Sequence, residues 1–157
     1  MPARAQVTQS DLLVAGRALG FVNNLKQEDV RIGIVYDPGI ARSAQEAAEI
    51  SAMMAGGLRV GGLFLKPVMI PIDMLTSAGV EALFLTDGLG TEAARVDRTS
   101  RKRKLPCITF DLAQVRNGNC AMGVRSRPKV EVFVNRAAAD ATGMDLAAVF
   151  RIMITEI

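Results

Sequence analysis

The spacing of apolar positions changes several times along the chain, and each change predicts an element. Leu12, Leu13, Ala15, Leu19 and Val22 recur at helical spacing behind Ser10-Asp11. That predicts a capped amphipathic helix to about Leu25. Val30 to Tyr36 is a nearly continuous β-branched run, the pattern of a strand buried on both faces. Asp37-Pro38-Gly39 has turn chemistry, and Ser43 to Ala55 returns to helical spacing (Ala47, Ile50, Met54) before Gly56-Gly57 stops it. Val60 to Ile72 reads as extended, with Pro67 and Pro71 restricting any long ladder to an edge or a break.

The second half repeats the alternation. A short helix is predicted over Asp73 to Ala78, a strand over Val80 to Thr86, and a helix over Thr91 to Lys104. A strand over Pro106 to Phe110 and a short helix over Leu112 to Arg116 follow. Asn119 to Val124 and Val130 to Val134 flank Arg125-Ser-Arg-Pro128 and predict an antiparallel hairpin. Asn135 to Thr142 reads as a helix ended by Gly143. Leu146, Val149, Phe150 and Met153 share one face of a last helix, Leu146 to Ile154. Strand then helix, repeated, implies parallel βα units. The expected fold is α/β: a three-layer, mostly parallel sheet with helices on both faces and an antiparallel C-terminal hairpin at one edge. Residues 1–9 are expected to be a flexible segment and residues 10–157 a single domain. Ala3-Arg4-Ala5 is a small-x-small pattern of the kind that precedes a signal-peptidase cut, though no apolar stretch stands before it.

Composition narrows the chemistry. Of 157 residues, 50% are apolar and 22% charged, which excludes a disordered chain and leaves ample core. No histidine is present, which removes the commonest general base, the commonest zinc ligand and every Ser-His-Asp or Cys-His arrangement. Tryptophan is absent and aromatics are 4%, so stacking platforms for bases are scarce. A net charge of +3 is too small to imply a nucleic-acid partner. Gly88-Leu89-Gly90 lacks the third glycine of the dinucleotide fingerprint, and no apolar run is long enough to span a membrane. The expectation is a protein that binds rather than catalyses, with no cofactor.

Asp37, Asp87 and Asp111 each follow a predicted strand. Ligands of open α/β sheets bind outside the carboxyl ends of the strands, so neighbouring strands would ring one crevice with these carboxylates. There they could hold a divalent cation or accept hydrogen bonds from a small ligand. Capping of the following turn or helix, worth about 1 kcal/mol each, explains the same residues one at a time. Ser43, near the start of the second helix, brings a hydroxyl to the same place, or merely caps. The run Arg98-Thr-Ser-Arg101-Lys102-Arg103-Lys104 reads as the wet face of a helix or as a nucleic-acid or anionic-lipid patch. Cys107 and Cys120 fall on predicted strands and form either a disulfide or two buried thiols. The eight methionines and the alanines Ala137, Ala138, Ala139 and Ala141 suit core filling or the interface of a homodimer.

Val130-Glu-Val-Phe-Val-Asn135-Arg-Ala-Ala-Ala, followed by Gly143-Met-Asp-Leu and a terminal apolar segment, resembles the C-terminal signature of the YfiR-like family. Pro106-Cys-Ile-Thr-Phe-Asp111 and Gly118 fit the same pattern. The resemblance implies an exported, non-enzymatic periplasmic domain, often dimeric, whose best known relative restrains a membrane diguanylate cyclase. Ile32-Gly-Ile-Val-Tyr-Asp-Pro with Ser43 also looks like the substrate-binding components of ABC transporters, which makes solute uptake the alternative.

Overall fold

The structure is a computed structural model, and it describes residues 7–157 except 24, 26 and 27. The expected export cut at Ala3-Arg4-Ala5, and most of the segment 1–9, lie outside the described residues. Val7 is already buried, and the first helix, α1 (Gln9–Gly20), opens with a reciprocal cap. The Thr8 hydroxyl accepts from Asp11 N–H, and the Asp11 carboxylate accepts from Thr8 N–H. Thr8 therefore caps the helix in place of Ser10, and the helix ends at Gly20, five residues before Leu25.

The remaining elements are β1 (Asp29–Tyr36), α2 (Ala41–Met53), β2 (Leu58–Val60), β3 (Leu63–Pro71), β4 (Ala82–Leu85), α3 (Ala93–Arg103), β5 (Cys107–Thr109), α4 (Leu112–Arg116), β6 (Met122–Arg125), β7 (Glu131–Val134), α5 (Arg136–Ala141), α6 (Ala148–Arg151) and β8 (Thr155–Glu156). A 3-10 helix, Ile72–Ser77, joins β3 to β4. The strands form one sheet in the order β2-β3-β1-β4-β5-β6-β7-β8. Pairing is parallel except for β2 with β3 and β6 with β7.

Alternation within the strands builds two cores. On β4, Ala82 and Phe84 enter the layer under α1 and α2, while Leu83 and Leu85 enter the layer under the 3-10 helix and α3. All four are buried, as expected of a strand covered on both faces. The helices lie on opposite faces because the chain leaves β1 in one lateral direction, toward β3, and leaves β4 in the other, toward β5. Right-handed crossovers then demand opposite sides.

Two expectations are corrected at the ends. The final helix is one turn, Ala148–Arg151, not Leu146 to Ile154; Ile152 and Met153 are exposed, and the chain then forms β8, parallel to β7. Hence the β6–β7 hairpin is not the sheet edge, because β8 lies outside it. At the other side β2 covers β3 only over Leu63–Leu65. Pro67 and Pro71 sit beyond that pairing, where a missing N–H on the outer side costs no ladder bond.

Candidate functional site at the strand tips

The parallel register puts Val35, Leu85 and Thr109 in one row across β1, β4 and β5. Asp37, Asp87 and Asp111 each stand two residues past that row, so the structure brings the three predicted positions to adjacent strand tips. Neighbouring strands are about 4.8 Å apart. Between β1 and β4 the connections part to opposite faces of the sheet, which is the topological switch point where open α/β sheets leave a crevice.

Hydroxyl relays hold these tips in place. Asp37 N–H donates to Ser43 Oγ (3.0 Å), Ser43 Oγ lies 2.7 Å from Thr86 Oγ1, and Thr86 Oγ1 donates to the Val35 carbonyl (2.7 Å). The single Thr86 hydroxyl hydrogen is used on Val35, so Ser43 is the donor within the pair. The next tip repeats the device: Asp111 N–H donates to Thr109 Oγ1, which donates to the Leu85 carbonyl. Ser43, Thr86 and Thr109 are fully buried. Ser43 therefore faces inward and braces the rim; its hydroxyl is engaged by the protein.

The carboxylates behave differently from one another. Asp37 Oδ1 accepts from Gly39 N–H at 2.8 Å, closing the turn into α2. Asp111 Oδ1 accepts from Ala113 N–H at 3.2 Å and caps α4. Asp87 pairs with Arg42 at 3.5 Å, across from the first turn of α2. Its backbone N–H donates to Glu46 Oε1, a carboxylate buried one turn further along α2. Gly88 then turns the chain at φ +85°, lying over the Arg42 side chain, which explains why the Gly-x-Gly pattern is a turn rather than a phosphate loop. Among the described residues, no three His, Cys, Asp or Glu side chains are placed to hold a metal ion. The cation-binding reading of the aspartates has no such cluster behind it.

Sequence reasoning missed Arg42, Glu46, Thr86 and Thr109. The signal for the threonines was available in Leu85-Thr86-Asp87 and Thr109-Phe110-Asp111, a hydroxyl beside each strand-end aspartate. The helix α2 carries no side-chain cap and no acidic residue in its first turn, so its N-terminal end and Arg42 give the crevice positive character beside the carboxylates.

Cys107 and Cys120 are joined in a disulfide that closes the β5–α4 excursion beneath Asp111. Asn135, singled out in the C-terminal signature, caps α5 through Ala138 N–H and donates to the Val115 carbonyl of α4.

The relay predicts a coupled cost. Thr86→Val leaves buried groups without their partner and is expected to lose about 1–3 kcal/mol, and Ser43→Ala a similar amount. The double variant should cost less than the two losses added together, because the second change breaks bonds already lost. Urea unfolding of the four proteins in that cycle measures it, and simple additivity would show that the two hydroxyls act separately.

No protein-family model matches this chain, and no curated protein matches it in sequence. Solved structures do share its fold. An ABC domain in complex with L-Trp from Streptococcus pneumonia superposes at a TM-score of 0.63 and 13% identity, covering 94% of this chain and 61% of that one. A conserved domain protein from Vibrio cholerae gives 0.64 and 12%, covering 97% and 61%. The ligand-free, open form of a substrate-binding protein with adhesive properties from Clostridium difficile gives 0.62 and 14%, covering 98% and 60%. This chain thus shares the α/β fold of these structures and spans about three fifths of their length.

Proposed function

We propose that this chain is a ligand-recognition domain that takes a small polar molecule in the crevice between the tips of β1 and β4, and that it acts by binding rather than by turnover. The observation that carries this reading is the switch point itself, with Asp37 on one side and Asp87 on the other. The rim presents both signs of charge: carboxylates from Asp37, Asp87 and Asp111, a guanidinium from the exposed Arg42, and the uncapped start of α2. A zwitterion such as a free amino acid satisfies both at once, and one structure of this fold is a complex with L-Trp.

Solute binding for an ABC uptake system is the reading the fold favours. An enclosed site would need a second wall across the crevice, from a further domain, another copy or a partner. The disulfide supports an oxidising compartment, in keeping with export to the periplasm. The finer reading, restraint of a membrane diguanylate cyclase by a periplasmic homodimer, rests on the C-terminal resemblance alone.

The test is direct. Native mass spectrometry of the purified protein, then calorimetric titration with the individual amino acids, should find one that saturates. Arg42→Ala and the triple change of Asp37, Asp87 and Asp111 to asparagine should each weaken it at least about tenfold. Wild-type affinity in both variants would remove the crevice as the binding site.

A further inference from the structure

The basic run flagged in the sequence does not belong to the crevice. It lies on α3, and most of its charges are already engaged. Arg101 pairs with Asp97 at 2.6 Å, Arg103 Nη1 reaches the Leu75 carbonyl, and Lys104 Nζ donates to the Ala141 carbonyl. Arg95, one turn upstream, is held at 3.0 Å by both Asp73 and Glu92. Arg98 and Lys102 differ. They stand four residues apart on one face of α3, and neither has an acidic partner among the described residues. Like charges at that spacing repel along a helix, and the carboxylate that lines the same groove, Asp73, is paired with Arg95 instead.

Both side chains line a groove of about 320 Å³ between α3 and the 3-10 helix Ile72–Ser77. That volume is at the lower end of the range small-molecule sites occupy. Ile72 and Leu75, core residues that are 3% and 2% exposed, form the apolar floor of the groove. Thr76 and Thr99 line the same groove, and neither hydroxyl has a hydrogen-bond partner among the described residues. Two unpaired cations, two unpaired hydroxyl donors and an apolar floor match an amphiphilic anion.

We infer that this groove is a second binding site, which takes an organic phosphate of modest size. The phosphoryl oxygens accept from Arg98, Lys102 and the threonine hydroxyls, and the organic part lies against Ile72 and Leu75. Arginine suits the forked oxygens and lysine the added charge. The groove shares no residue with the crevice, so this inference stands or falls apart from the proposed function.

The experiment titrates isotopically labelled protein with hexyl phosphate and with inorganic phosphate, followed by amide chemical shifts. Hexyl phosphate should saturate, with shifts concentrated over residues 72–77 and 95–102, and bind at least about tenfold tighter than inorganic phosphate because its chain is partly buried. Arg98→Ala with Lys102→Ala should weaken it by about tenfold or more while circular dichroism stays unchanged. Arg98→Gln with Lys102→Gln serves equally if the alanine pair folds poorly. Arg17→Ala with Lys129→Ala, which removes two exposed charges elsewhere, should leave it intact. Anionic vesicles made with phosphatidylglycerol distinguish a lipid headgroup from a free phosphate ester as the source. Absence of saturation, or equal loss in the Arg17/Lys129 control, would overturn the site and reduce the charge on α3 to a solvated helix face.

Discussion

Phe84→Ala is expected to lower stability by about 3–5 kcal/mol, the usual cost of emptying a buried aromatic position. Phe84 sits at the middle of the central strand β4 with 1% of its surface exposed. It makes an edge-to-face contact with Phe110, ring centroids 4.9 Å apart, and such a pair adds about 0.5–1.5 kcal/mol beyond burial. Its other neighbours leave little room to collapse. A small apolar hollow already lies beside it, bounded by Leu19, Ile34 and Ile50 among others, so truncation enlarges an existing void rather than closing one. Thermal unfolding by circular dichroism should show a midpoint roughly 10 °C lower, or more. Phe110 directly precedes Asp111, so the same change should loosen the third tip and weaken any crevice ligand. A loss below about 1 kcal/mol would mean that the layer under α1 and α2 is not packed as described.

What the sequence revealed, and what it hid, follows from the range of the forces involved. The β4 run Leu83-Phe84-Leu85 and the β1 run through Ile34-Val35 were readable because both faces are buried and every position reports it. The short helix α4 has the bounds its sequence predicts because its cap, Asp111, acts on a group two residues away. The parallel α/β sheet with helices on both faces followed from the alternation of elements. Misreadings arose where a distant partner decides. Ser10 and Thr8 are equivalent as local caps, and only the reciprocal bond to Asp11 separates them. The last segment has helical spacing, but the exposed edge of β7 takes Thr155–Glu156 as a strand after one turn. Ser43 leaves both a ligand-facing and a capping reading open in the sequence, which does not show that Thr86, 43 residues later, comes to meet its hydroxyl. The groove beside Arg98 depends on the 3-10 helix lying against α3, which no local pattern announces.

Loss of the Cys107–Cys120 bond is expected to cost roughly 3 kcal/mol, from the entropy of a loop of 13 residues in the unfolded chain. Each sulfur is buried in the layer beneath α3, Cys107 on β5 and Cys120 just ahead of β6. Reduction therefore frees the excursion that carries Asp111 and α4 while leaving two small apolar side chains in place. Cys107→Ala with Cys120→Ala removes the link with little change in packed volume, so its effect isolates the cross-link. Thermal unfolding of the oxidised protein, the protein in excess dithiothreitol and the double variant should give midpoints of which the last two agree and fall roughly 10 °C below the first. The loss should be largest in this segment. Hydrogen exchange over residues 107–120 should quicken more than over β1, which is tied to β3 and β4 without help from the sulfurs. If the reduced protein melts with the oxidised one, the bond contributes nothing to this fold, and the support it lends to an oxidising compartment goes with it.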